Sequence, residues 1–93
     1  MKPKNRWVVA PEIRWTVDND GGVLVDLQRE ACFAVNLVGA AVWKMLSMNK
    51  DGLTLEAIAE DLAKDFEIPV DEPLKDVSIF LNDLRKKKLV EVV

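Results

Sequence analysis

Residues 23–36 constrain the fold more than any other stretch, because they hold two apolar runs separated by a short polar break. The Val, Leu and Phe residues on both sides of the break favour β-strands. Gln28, Arg29 and Glu30 have the polarity and the length of a hairpin turn. The stretch therefore predicts two antiparallel strands, of which the second covers residues 31–35.

The second predicted strand has no further strand beside it in the sequence. At Asn36 the apolar pattern changes from a period of two to the period of a helix, and Asn36 itself is a good helix N-cap. Unless a later element covers it, residues 31–35 therefore form a sheet edge with free N–H and C=O groups. An extended peptide can add to such an edge as a further strand. This edge favours peptide binding as the function.

The residues before this hairpin predict more of the same sheet. Residues 13–17 alternate apolar and polar side chains, which indicates a half-buried strand, and residues 7–10 indicate a short strand that ends at Pro11. Residues 18–22 (Asp-Asn-Asp-Gly-Gly) are typical of a turn. We expect an antiparallel sheet of about three strands, preceded by flexible residues 1–6.

Three helices are predicted after Asn36. The first covers residues 37–48, the second follows Thr54 as its N-cap and runs to residue 66, and the third begins at residue 71 or 72. Residues 89–93 indicate a short final strand. The expected buried faces contain Val38, Ala41, Val42, Met45 and Leu46, then Leu55, Ile58, Ala59, Leu62 and Phe66, then Leu74, Val77, Phe80, Leu81 and Leu84.

The predicted fold class is therefore α+β, with a three-stranded antiparallel sheet followed by three helices, in a single domain of residues 1–93. Three compact helices joined by tight turns resemble a helix-turn-helix core.

Net charge and the rare residue types argue against several functions. The formal charge is −3, whereas nucleic-acid binding relies on Lys and Arg to neutralise phosphates. With no histidine and one cysteine, the chain can build neither a structural zinc site nor an internal disulfide. Without a histidine base or a recognisable carboxylate motif, we expect no enzymatic activity and no cofactor. The longest apolar run, residues 37–43, is too short to span a membrane, and the single cysteine favours the reducing cytosol.

Two reactive or charged features have simple structural interpretations. Cys32 lies next to Phe33 in a predicted strand, so we expect a small buried side chain rather than a reactive thiol. The basic residues 85–88 end the third helix, where cations complement the helix dipole. They could contact DNA in a small helix-turn-helix regulator, which remains an alternative function. The same helix, however, carries acidic residues that would repel a duplex, namely Asp71, Glu72, Asp76 and Asp83.

Ile79 departs from the pattern of the third helix. It points away from the apolar stripe of Val77 and Leu81 and lies on the same flank as Asp76 and Asp83. A single exposed apolar residue is common. This flank, however, could face the predicted edge strand, so Ile79 is a candidate peptide contact.

Several segments of the chain resemble the PqqD-like proteins, which are the precursor-peptide recognition elements of ribosomally made, modified peptides. The resemblance covers approximately residues 13–92. The pattern Gly-Ala-x-Val-Trp-x-x-Leu after Asn36 resembles especially the stand-alone members from lasso-peptide pathways. The similar segments are the strand around Leu24, residues 33–36, 39–46 and 53–62, Asp76 and Val77 with Phe80, Leu81 and Leu84, and residues 88–90.

The resemblance implies a winged helix-turn-helix-like domain that binds a leader peptide and catalyses no reaction. The leader is expected to add as a strand to residues 31–35, in agreement with the edge argument, and to rest its side chains against the third helix. The bound precursor would be presented to a partner enzyme, a leader peptidase in lasso pathways or a radical-SAM enzyme in the PqqD pathway. A domain that pairs with a second copy through the same edge remains a further alternative. The expected peptide contacts are Ala31, Cys32, Phe33, Ala34, Val35, Asp76, Ile79, Phe80 and Asp83.

Overall fold

The computed structural model describes residues 5–18 and 20–93. Within these residues the fold is α+β, as predicted. Residues 1–4 of the segment predicted to be flexible, and Asn19 of the predicted turn, lie outside the described residues. The elements are β1 Trp7–Val9, β2 Ile13–Val17, β3 Gly21–Asp26, β4 Ala31–Asn36, α1 Leu37–Ser47, α2 Leu55–Phe66, α3 Asp71–Lys86 and β5 Val90–Val92.

The predicted three-stranded sheet is present and has the order β2-β3-β4, with both pairs antiparallel. Leu24 lies at its centre, opposite Trp15 of β2 and Phe33 of β4. Gly21 and Gly22, which the sequence places in the turn, instead begin β3. The turn is tighter than predicted because the Asp18 carboxylate accepts hydrogen bonds from the backbone N–H groups of Asp20 (2.8 Å) and Gly21 (3.1 Å).

β1 belongs to a separate two-stranded sheet, in which it pairs antiparallel with β5. Val8 lies opposite Glu91. Arg6 extends this pairing, since its backbone exchanges hydrogen bonds of 3.3 and 2.9 Å with Val93. The beginning and the end of the described chain are therefore held side by side.

The helices start where the sequence predicts. Asn36 Oδ1 accepts a hydrogen bond from the N–H of Gly39 (2.9 Å), and Thr54 Oγ1 accepts one from the N–H of Ala57 (3.2 Å). In the described part of the chain no helix is long and apolar enough to cross a membrane. The core lies between the sheets and the helices and consists of Leu24, Val42, Trp43, Leu46, Ile58, Leu62, Val77, Leu81, Leu84, Leu89 and Val90.

Two apolar residues predicted on buried helix faces are exposed. Val38, at the beginning of α1, is 38% exposed, and Phe66, at the end of α2, is 40% exposed. Both side chains have the phase of the buried stripe, but they lie at helix ends. The neighbouring elements cover the middle of each helix and leave these ends open.

Asp26 holds the hairpin turn that leads into β4. Its carboxylate accepts hydrogen bonds from the backbone N–H groups of Gln28 (3.0 Å) and Arg29 (3.1 Å) and from Arg29 Nη1 (3.2 Å). Burial alone would raise the pKa of Asp26. The hydrogen bonds and the charge of Arg29 outweigh burial and lower that pKa below its ordinary value of 3.8.

The Asp26→Asn protein should be less stable than the wild type at neutral pH, and the difference should disappear in acid. A lowered pKa means that the charged carboxylate stabilises the folded state above pH 3.8, and that this contribution is lost as the pH falls through the lowered pKa. Urea unfolding of both proteins across this range measures the difference in free energy. A difference that stays constant with pH would contradict the assigned role of the charge.

Candidate peptide-binding groove at the β4 edge

β4 is an edge strand, as the sequence predicts. Among the described residues it pairs with β3 on one side and with no strand on the other. Burial alternates along it. Phe33 and Val35 pack partly buried against the core, whereas Cys32 and Ala34 are exposed.

The hydrogen-bond pattern of β3 shows which of its residues bond to β2. In an antiparallel strand the N–H and C=O of one residue point to the same side, and successive residues alternate. The Asp18 N–H donates to the Gly21 carbonyl (2.8 Å), and the Leu27 N–H donates to the Glu12 carbonyl (3.3 Å). The odd-numbered residues of β3 therefore direct their backbone groups towards β2, and the even-numbered residues direct theirs towards β4.

The free backbone groups of β4 follow from this alternation. The even-numbered residues of β3 lie opposite Ala31, Phe33 and Val35, whose backbone groups are therefore used inside the sheet. Cys32 and Ala34 lie between them. Their N–H and C=O groups point away from β3, to the open edge. The groups available to an added strand are therefore those of Cys32 and Ala34.

The exposure of Cys32 shows that the prediction of a buried side chain is wrong. Register places Cys32 beside Val25, on the sheet face opposite to the buried Leu24. The helices pack against the Leu24 face, so the side chain of Cys32 lies on the open face. A pattern of apolar neighbours in sequence does not show which face of a strand is covered.

α3 runs beside β4. A Cβ atom added to Gly39 would lie 2.9 Å from Phe80 Cζ and 3.1 Å from Val35 Cβ, so these side chains meet where α1 begins. At the C-cap of α3, about two helical turns beyond Phe80, Lys87 Nζ lies 5.3 Å from the centre of the Phe33 ring. The open edge of β4 and the flank of α3 that contacts Val35 and Phe33 are thus adjacent, and we call the surface between them the β4–α3 groove.

The flank of α3 beside β4 carries both charged and apolar side chains. Asp76, Phe80, Asp83 and Lys87 are separated by four, three and four residues, so they share one stripe of the helix. Asp83 Oδ2 is paired with Lys87 Nζ at 2.8 Å. Ile79 is 63% exposed and leaves the helix about 100° round from Phe80, at the outer rim of this stripe.

Asp76 differs from Asp83. No salt bridge to Asp76 occurs within residues 5–18 and 20–93. Its exposed carboxylate is therefore available to a cation from outside the chain, whereas that of Asp83 already has Lys87 as a partner.

The predicted contact residues all lie along the groove, but they have different roles there. Ala31, Phe33 and Val35 bond within the sheet, Cys32 and Ala34 offer free backbone groups, and the helical residues offer side chains. That any of them contacts a peptide remains a prediction. Two residues at the groove, Gly39 and Lys87, are missing from the peptide contacts that the sequence predicts. A glycine inside a helix costs up to about 1 kcal/mol relative to alanine, and this cost is the signal that could have identified Gly39.

Comparison with known proteins relates the chain to one family. Residues 21–90 match the family described as "Coenzyme PQQ synthesis protein D (PqqD)". A relative from Rhizobium meliloti (strain 1021), called PqqA binding protein, is 31% identical over 85 residues, which span 91% of this chain and 84% of the relative.

Two solved structures have the same fold. TbiB1, in complex with the TbiA(beta) leader peptide, superposes with a TM-score of 0.77 at 24% identity, over 90% of this chain and 94% of TbiB1. The PqqD truncation of Methylobacterium extorquens PqqCD, described as a functional and stand-alone RiPP recognition element, superposes with a TM-score of 0.73 at 22% identity, over 92% of this chain and 88% of that one.

Proposed function

The chain belongs to the PqqD family, and from this premise we propose that it binds the leader of a ribosomal precursor peptide and presents the precursor to a processing enzyme. The domain itself catalyses no reaction. The observation that carries the proposal is the open edge of β4, where Cys32 and Ala34 direct free backbone groups away from β3, in the β4–α3 groove.

Binding would proceed by strand addition. Each outward residue of β4 offers one donor and one acceptor, so main-chain hydrogen bonds give affinity that is largely independent of sequence. The flank of α3 then selects among side chains, because Asp76, Ile79 and Asp83 face the solvent beside the added strand.

The partner enzyme we propose is a leader peptidase of a lasso-peptide pathway. The Gly-Ala-x-Val-Trp-x-x-Leu pattern in α1 supports this choice. A radical-SAM enzyme is the alternative partner, and the relative called PqqA binding protein supports it. An exposed thiol at Cys32 suits a reducing compartment, so we propose that the protein acts in the cytosol.

Calorimetric titration tests the proposal. The purified protein should bind the leader of the precursor encoded beside its own gene saturably, and it should not bind a scrambled peptide of the same composition. It should not retard duplex DNA at low salt, where an electrostatic DNA contact would be strongest. Absence of binding to every leader encoded nearby would overturn the proposal. The identity of the neighbouring genes separates the two partner enzymes.

The Ile79→Asp protein should keep its stability and lose affinity for the leader. Ile79 is 63% exposed, and a surface substitution usually changes stability within about 0.5 kcal/mol. If a bound leader covers the side chain, burial contributes roughly 1.5–3 kcal/mol, so a charge there should weaken binding at least about tenfold. Met48→Asp, on an exposed residue of the α1 C-cap, is the control. Unchanged affinity of Ile79→Asp would show that the peptide uses another flank of α3.

Reversing charge on α3 should affect Asp76 more than Asp83. Asp76→Lys replaces an unpaired carboxylate, whereas in Asp83→Lys the lost charge is one that Lys87 already compensates. For a leader with a basic residue at this flank, we expect Asp76→Lys to weaken binding several-fold, by about 1 kcal/mol or less, and the effect to shrink in high salt. Titrations at two salt concentrations measure both effects. Equal losses in the two proteins would show that the Lys87 pair opens when the leader binds.

A further inference from the structure

An apolar pocket lies at the end of the β4–α3 groove that is nearer the N-terminus of α3. Its volume is about 370 Å³, and Asp76 is its one charged wall residue. We call it the anchor pocket. Its walls are Val38, Leu62, Phe66, Ile68, Pro73, Asp76 and Val77, contributed by all three helices and by the α2–α3 connection.

The anchor pocket is open to solvent. Leu62 and Val77 form its buried base. Val38 and Phe66 stand at its mouth and are 38% and 40% exposed, although their helical phase predicts burial. The pocket is thus an apolar surface of suitable size for one large side chain.

The anchor pocket continues the β4–α3 groove. Val38 is the residue before Gly39, and Val77 lies three residues, about 4.5 Å along the helix axis, before Phe80. Gly39 and Phe80 meet at the end of β4. A peptide that pairs with β4 and continues in the direction of Asn36 leaves the strand where α1 begins, next to the first turn of α1, which supplies Val38 to the pocket.

The surroundings of the pocket are acidic. Asp76 lies in its wall, and Asp65, Glu67 and Asp71 lie in the same segment, residues 65–76, in which Lys75 is the one basic residue. No salt bridge to any of these four carboxylates occurs within residues 5–18 and 20–93. A basic side chain would complement this rim, whereas an acidic one would be repelled.

We propose that the anchor pocket binds one large apolar side chain of the same leader peptide, at a position beyond the segment that pairs with β4 and next to a Lys or Arg that faces Asp76. This inference rests on the proposed function. Strand addition discriminates poorly between side chains, because its hydrogen bonds join the two backbones. The anchor pocket would therefore provide much of the discrimination between one leader and another.

Selection from an mRNA-displayed library of random peptides tests both the apolar side chain in the anchor pocket and the basic residue beside it. Peptides recovered on the wild-type protein should share one large apolar residue beside Lys or Arg. Their affinity should fall at least about tenfold, or ~1.4 kcal/mol, for Val38→Asp. This variant should fold, because a carboxylate is favourable in the first turn of a helix. The control is Leu37→Asp, on an adjacent residue of the same turn that is 47% exposed and lies outside the anchor pocket.

The outcomes distinguish a failure of the proposed peptide binding from a failure of the anchor pocket. If the wild type recovers no peptides above background, peptide binding itself is wrong. Peptides that bind Val38→Asp as well as the wild type but lose binding to Ala34→Pro would leave strand addition standing and overturn the anchor pocket. An equal loss for Leu37→Asp and Val38→Asp would also overturn it, because the effect would then belong to the charge and not to the pocket. The inference is supported if only Val38→Asp loses affinity and the recovered peptides share a large apolar residue beside Lys or Arg.

Discussion

The Ala34→Pro protein should fold normally and bind the leader about ten- to hundredfold more weakly than the wild type. The N–H of Ala34 points to the open edge of β4, and proline has no N–H. A peptide carbonyl that loses this donor and is buried without a partner costs about 1–3 kcal/mol. The proline ring also occupies space that a new strand, about 4.8 Å away, would need.

Proline at this position should spare the fold. Edge strands tolerate proline where the missing N–H faces solvent, and Phe33, which then precedes a proline, is already extended. Val35→Pro is the informative contrast, because the backbone of Val35 bonds to β3 and its loss should destabilise the sheet. Circular dichroism and thermal unfolding should show that Ala34→Pro keeps the fold and that Val35→Pro destabilises it.

Ala34→Val is the matched control for the side chain, since it keeps the N–H and places a strand-favouring residue on the exposed face. It should bind like the wild type. Normal binding by a folded Ala34→Pro protein would show that the leader does not add to β4.

The edge strand and the helix starts are the features that sequence predicts best, because each depends on neighbours in the chain. The hairpin at residues 23–36 is followed directly by a helix, so nothing in the sequence beside it can cover β4. Asn36 and Thr54 cap their helices through residues three positions away. The register that leaves Cys32 and Ala34 free follows from the hydrogen bonds at both ends of β3, and the sequence alone shows no such bonds.

Pairing between distant segments is beyond local patterns. β1 and β5 are three residues each and lie at opposite ends of the chain, so neither their partnership nor their register has a sequence signal. The sequence does not predict the anchor pocket, for a related reason. Periodicity predicts which face of a helix is apolar, but not how far along the helix its neighbours reach, and Val38 and Phe66 lie beyond that limit.

Trp43 is another feature that the sequence pattern does not predict, because the apolar stripe predicted for α1 omits it. The structure makes it the largest fully buried side chain. The first turn of its helix includes Val38, which lines the anchor pocket, and Gly39, which borders the groove. Because Trp43 lies on the same helix, we expect its loss to disturb the positions of Val38 and Gly39.

Replacing Trp43 by Ala should cost about 3–5 kcal/mol of unfolding free energy, which is a large part of the ~5–15 kcal/mol typical of a domain. Trp43→Phe should cost distinctly less. Within the described residues the buried Nε1 of Trp43 has no hydrogen-bond partner, so phenylalanine keeps an aromatic ring, breaks no bond and removes an unpaired polar group. Urea unfolding gives both free energies, and titration with the leader shows whether binding falls with them. A Phe variant as unstable as the Ala variant would show that the indole N–H is satisfied, for instance by a buried water, and that this bond stabilises the core.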